Sequence, residues 1–121
     1  IGTQGTGDSR KFFVEFSGGR RLHSARSYSS GVWYHVVVVR SGSEIGIYVS
    51  GMQIGTSYAK AKFSKGASSG TPTGSCCIGG SAHRLTDAWG GAIDEIRFYN
   101  RALSKKEVMD LYGLESSRFH P

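Results

Sequence analysis

The chain has 121 residues, 18 of them glycine, and carries 15 Lys plus Arg against 9 Asp plus Glu for a formal charge of +6. Glycine at about twice its usual ~7% share disfavours a helical bundle, since each interior Gly costs a helix about 1 kcal/mol relative to Ala while turns and sheet corners use it freely. The length predicts one β-rich domain with its own core, the charge only biases association toward acidic glycans, nucleic acid or anionic surfaces, and no run approaches the ~18 apolar residues of a membrane span.

Residues 1–10 read as a polar, Gly-rich lead-in, and Ile1 in place of an initiator Met reads as the start of a processed chain or of a segment of something longer. Period-2 patterning then begins. Residues 11–16 alternate with Phe12, Val14 and Phe16 on one face, Ser17-Gly18-Gly19 turns the chain, and residues 20–26 read as a polar return strand carrying Leu22. Residues 32–40 form a stronger strand. Its unbroken run Val36-Val37-Val38-Val39 is the pattern of a strand covered on both faces in the middle of a sheet. Residues 44–49 follow with Ile45, Ile47 and Val49 on one face, and Ser50-Gly51 is a two-residue turn leading to a strand at 52–56.

From 57 to 74 the pattern dissolves into a Ser, Gly and Lys-rich loop, and loops of that length are usually functional or mobile. A short strand is expected at 75–79, a polar loop at 80–87, and a last strand at 92–99 after Trp89-Gly90-Gly91. Ser104 and Glu107 form a capping box that opens a short helix over 104–112, with Val108, Leu111 and Tyr112 as its apolar face. Gly113 is expected to stop it, leaving 113–121 as a polar tail. Cys76 and Cys77 are adjacent, so on a strand they point to opposite faces and an ordinary disulfide between them is geometrically poor.

Two runs of residues carry a family resemblance. Val32-Trp33-Tyr34-His35-Val36-Val37-Val38-Val39 followed by Ile45-Gly46-Ile47-Tyr48-Val49-Ser50-Gly51 resembles the centre of laminin-G-like, concanavalin A-like jelly rolls. Cys77-Ile78-Gly79-Gly80 fits a later strand of that family, and Gly91-Ala92-Ile93-Asp94-Glu95-Ile96-Arg97-Phe98-Tyr99-Asn100-Arg101-Ala102-Leu103-Ser104 fits its ending almost position for position. Ser50 departs from the Asn usual there, although Gly51 still supplies the turn. The resemblance implies an all-β antiparallel sandwich over 11–112 with one short C-terminal helix. Such domains carry further strands before the one matching 11–16, including one that pairs with the final strand. The chain therefore reads as the C-terminal two-thirds of the domain, with the rest upstream in the same chain or supplied by a partner.

Each candidate site has a plain structural alternative. Trp33 begins a strand and matches a family core position. Trp89, ending a polar loop, suits either packing or ligand stacking. His35 reads as a hydrogen-bonded structural histidine, and His23, His83 and His120 have no metal-ligand spacing. Asp94 and Glu95 are neighbours on an expected strand and face opposite ways, which argues against the converging carboxyls of a glycosidase. The resemblance implies instead that Asp94 helps to bind a structural Ca²⁺, with its other ligands outside this segment; the alternative is a structural hydrogen bond to backbone or to Arg97.

Lys60 and Lys62 share a face if their segment is extended, with Tyr58 on the same face and Lys65 nearby. They suit sulfate, carboxylate or phosphate groups, and Arg20-Arg21 and His83-Arg84 occupy turns that would add to the set; the alternative is a solvated lysine loop. No nucleic-acid motif accompanies the charge. The reading that results is a non-catalytic binding module, recognising a glycan or a protein surface as part of a larger extracellular or cell-surface protein. The alternative is a structural subunit packed within an assembly.

Overall fold

The computed structural model describes residues 1–5, 10–16, 20–24, 26–42, 44–51, 58–62, 78–79 and 89–119. They contain six strands and one helix: β1 (Gly2–Gln4), β2 (Lys11–Phe16), β3 (Arg20–His23), β4 (Val36–Ser41), β5 (Glu44–Val49), β6 (Tyr58–Lys62) and α1 (Lys105–Phe119). The strands form two antiparallel three-stranded sheets, ordered β1-β2-β3 and β4-β5-β6. The alternation at 11–16 and 44–49 sets the strand bounds as expected, and the β2 register places Val14 opposite Leu22.

The core lies between the sheets. Phe12 from β2, Tyr28, and Ile47 and Val49 from β5 are buried together, and Val14, Leu22, Val36, Val38 and Trp89 pack around them. Burying each of the larger side chains contributes about 1.5–3 kcal/mol. The rings of Phe12, Tyr28 and Tyr34 meet at 5.0–5.7 Å, with Tyr34 edge-on to both of the others, the arrangement their quadrupoles favour. Beyond the end of β3 the buried Ser24 continues the pairing. Its amide donates to Phe12 O at 2.7 Å, and its hydroxyl accepts from the Phe12 amide at 3.2 Å and donates to Arg26 O at 2.9 Å.

β5 is covered on both sides. Ile45, Ile47 and Val49 are buried on one face, while Tyr48 on the other joins Leu103 and Val108 in a second cluster with Val37, Val39 and Leu111. Helix α1 thus packs on the outer face of the second sheet. Its capping box forms: the Glu107 amide donates to Ser104 Oγ at 3.2 Å and the Ser104 amide to Glu107 Oε1 at 3.1 Å.

Several elements differ from expectation. The lead-in contains β1, whose register pairs Gly2 with Phe13, and the Ile1 carbonyl accepts from the Gly79 amide at 2.8 Å. Residues 32–35 lie outside the ladder, so β4 begins at Val36, and Trp33 is 39% exposed instead of sitting in the core. The stretch expected as loop holds β6, which pairs along β5 from Tyr48↔Tyr58 to Glu44↔Lys62; Ala and Lys are weak strand formers, and the pairing to a buried neighbour overrides them. Ser50 and Gly51 do turn the chain, at φ +53° and +64°, but the strand expected at 52–56 falls outside the described residues, as do Cys76 and Cys77. Ile78 and Gly79 form a bend.

The expected last strand is the largest difference. Residues 92–99 join no ladder and are exposed throughout. The alternation is present, but a strand exists only against a neighbour, and Glu95 at φ +53° breaks the extended path. Helix α1, in turn, runs through Gly113 to Phe119 instead of stopping. The glycine cost of about 1 kcal/mol is offset where Arg97 holds Glu115 at 2.7 Å and Arg118 ion-pairs with Glu95.

Candidate functional site

Two regions stand out. The first is a cleft of about 1580 Å³ between β4 on one side and residues 89–103 on the other, lined further by Phe12 and Tyr28 from the core and by Tyr112 and Glu115 from α1. Its walls are unusually apolar for an open surface. Trp33, Ile93, Ile96, Phe98 and Tyr99 all line it, and Phe98 is 76% exposed. Contiguous apolar exposure of this kind marks an interaction surface.

Charge in the cleft is uneven. Arg97 bridges Glu95 at 3.3 Å and Glu115 at 2.7 Å, and Arg101 forms a two-pronged pair with Glu107, one prong at 2.9 Å. Arg10, Lys11 and Arg40 also line it, and the buried Arg10 Nε has no hydrogen-bond partner. His35 sits beside this network with its ring 6.1 Å from Tyr112. Burial pushes its pKa down, the Glu115 charge opposes that shift and Arg97 reinforces it.

The second region is β6, the far edge of the same sheet among the described residues. Tyr58, Lys60 and Lys62 take alternate positions on β6, across from Tyr48, Gly46 and Glu44, so the three expected residues share one face of the strand. Strand β3, which carries Arg20 and Arg21, lies against β6. The pairing of the sheets therefore brings two of the basic groups that the sequence separates onto neighbouring strands. Lys65, His83 and Arg84 lie outside the described residues.

Trp89 is half-buried and packs on Phe12, ring centroids 5.4 Å apart, while its amide donates to Gly79 O at 2.6 Å. Asp94 is exposed, and its Oδ1 accepts from the Glu95 amide at 2.8 Å. Among the described residues no cluster of His, Cys, Asp and Glu of the size a metal needs is found. A Ca²⁺ takes six to eight oxygens, and one carboxylate turned onto the neighbouring amide does not by itself fit that ion. The carboxylates with shifted pKa values move in one direction: Glu95 is lowered, chiefly by its hydrogen bond from Arg118, and Glu107 is pushed down to about 2, chiefly by Arg101. Those are anions locked in ion pairs, whereas a general acid needs a raised value.

Of the cleft lining, Trp33, His35, Trp89, Asp94 and Glu95 were weighed from sequence, whereas Ile93, Ile96, Phe98 and Tyr99 were not. Their signal was the period-2 pattern of 92–99 itself, which read as a strand with no partner to pair it.

Residues 2–109 match the family model Laminin_G_3, described as the concanavalin A-like lectin/glucanases superfamily. In structure the chain is similar to the S-layer domain-containing protein (residues 221–444) from Clostridium thermocellum, solved by crystallography at 2.1 Å, with 22% identity and a TM-score of 0.50. The match covers 93% of this chain and 64% of that one. No curated protein matches the chain significantly.

Proposed function

Because the chain belongs to the concanavalin A-like lectin/glucanase superfamily, we propose that it is a non-catalytic binding module of an extracellular or cell-surface protein, taking an acidic glycan along the basic edge formed by β3 and β6. The fold alone does not assign this role, since the same superfamily includes glucanases. The observation that carries it is the placement of Lys60 and Lys62 at alternate positions of an edge strand beside the strand holding Arg20 and Arg21. Cationic residues at alternate positions of a strand suit the spaced sulfates or carboxylates of an extended glycan, and such a site needs no enclosed pocket. The non-catalytic part is supported by Glu95 and Glu107, whose arginine partners lower their pKa values, the opposite of what an acid catalyst needs. The structural neighbour, an S-layer domain-containing protein, fits a surface location.

A glycan array carrying sulfated, uronic and neutral members tests this reading. Binding to the acidic members at low salt is expected, weakening as the screening length falls from about 30 Å at 0.01 M to about 8 Å at 0.15 M. A blank array at low salt, with stable recovery of the protein in a large assembly, replaces it with the structural-subunit reading.

A further inference from the structure

The register of the second sheet decides which side of it the basic residues occupy. Residues opposite one another on paired strands lie on the same face. The pairs Tyr48↔Tyr58, Gly46↔Lys60 and Glu44↔Lys62 therefore put all three β6 positions on the face that carries Tyr48. Tyr48 packs with Leu103 and Val108, so that face is the one α1 covers. The core side of β6 is left to Ala59 and Ala61, opposite Ile47 and Ile45.

Beside Lys60 and Lys62 on this face lies a hollow of about 320 Å³, bounded by 39–48 on the sheet and by 102–104 and Glu107 at the start of α1. That volume falls at the lower end of the ~300–1,000 Å³ of small-molecule pockets. Gly46 is what opens it. Glu44 and Tyr48 stand two residues to either side on the same face, and a larger residue between them would fill the space. Lys60 is the cross-strand neighbour of Gly46, one strand spacing of about 4.8 Å away.

The lining has the chemistry of a sugar site. Val39, Tyr48 and Leu103 supply apolar surface, while Ser41, Ser104 and Glu44 supply hydroxyls and a carboxylate. A saccharide ring offers an apolar face and a rim of hydroxyl donors to match. An anion is a poor occupant, because Glu44 and Glu107 both line the hollow and the Ser104 and Glu107 amides are already taken up in the capping box. The acidic groups of a ligand belong outside, at Lys60 and Lys62.

We infer that the hollow over Gly46 seats one saccharide unit of the acidic glycan, its hydroxyls donating to Glu44 and its sulfates or carboxylates lying toward Lys60 and Lys62. The inference rests on the glycan reading and adds to it the α1 side of the sheet and a recognition of the sugar ring beyond its charge.

Titration of heparin tetrasaccharide into the full chain tests it, followed by amide NMR shifts and by calorimetry. Shifts are expected at Gly46 and at 102–104 as well as along β6. Gly46→Val fills the hollow with a residue that strands favour; it is expected to weaken Kd at least about tenfold at an unchanged melting temperature, and Gly46→Ala to weaken it less. Glu44→Ala gives a sign: losing a negative charge beside an anionic chain tightens binding if charge alone is read, whereas losing a hydroxyl acceptor weakens it, and weakening is expected. Shifts confined to β3 and β6 overturn the inference, and so does Gly46→Val or Glu44→Ala binding as tightly as wild type. With Lys60→Gln, Lys62→Gln still weakened, those results leave the basic edge standing. A wild type that does not bind heparin overturns both readings.

Discussion

Arg97 donates to Glu115 at 2.7 Å, joining the segment that walls the cleft to the second half of α1. The Glu115 side chain is 12% exposed and that of Arg97 45% exposed. The pair is therefore partly screened, yet it is what brings the helix beyond Gly113 under the wall.

Replacing Arg97 with Met is expected to lower stability only slightly, because solvent screens a partly exposed ion pair. The effect should be local. Amides after Gly113 exchange faster in the variant, while those of the first helical turn keep their protection; equal exchange along the whole helix in both proteins would show that the pair does not hold the C-terminal turns.

Gly51 combines φ +64° with a close approach to Tyr112. A Cβ built there would meet Tyr112 Cδ1 at 2.8 Å. Gly51→Ala therefore carries both a left-handed backbone penalty of about 1–2 kcal/mol and a clash. In a Tyr112→Ala background only the backbone part remains, so the cost of Gly51→Ala should shrink there. Denaturant unfolding of the four proteins in this cycle measures the difference.

The helix cap is acid-resistant. Glu107 has its folded pKa lowered from 4.5 to about 2 by Arg101 and the Ser104 amide, so its contribution is fully present above 4.5 and is lost as the pH falls through about 2. The melting-temperature gap between wild type and Glu107→Gln should be flat from pH 7 to 5 and close toward pH 2. Ser104→Ala, which removes the other half of the box, is expected to cost about 1 kcal/mol.

His35 has the opposite dependence from a stabilised cation. Its folded pKa lies below 6.5, chiefly through burial, so the stability tied to its neutral form is present above 6.5 and falls as the pH drops from there toward the folded value. Thermal melts between pH 7 and 5 should show this loss in wild type, and His35→Gln should flatten it.

Most of the sandwich was legible in the sequence because it is written in alternation. Phe12 and Val14 on β2, and Ile45, Ile47 and Val49 on β5, point where period 2 puts them. What was not legible depended on neighbours. The Ala-Lys repeat of β6 is a strand only because β5 pairs with it, and residues 92–99 have strand residues but no described partner. Gly113 stays helical because Arg97 and Glu95, far away in sequence, hold Glu115 and Arg118. For the basic edge, spacing alone put Tyr58, Lys60 and Lys62 on one face, but the adjacency of Arg20 and Arg21 needed the packing of β3 against β6.

The most direct measurement of the central claim is the affinity of the Lys60→Gln, Lys62→Gln variant for heparin, a sulfated and uronic glycan, across a salt series. Glutamine is chosen because a glutamate at position 62 would stand across from Glu44 and add repulsion. The basic-edge account predicts a Kd weakened at least about tenfold, about 1.4 kcal/mol, with a shallower salt dependence and an unchanged melting temperature. An unchanged Kd and salt slope would contradict it.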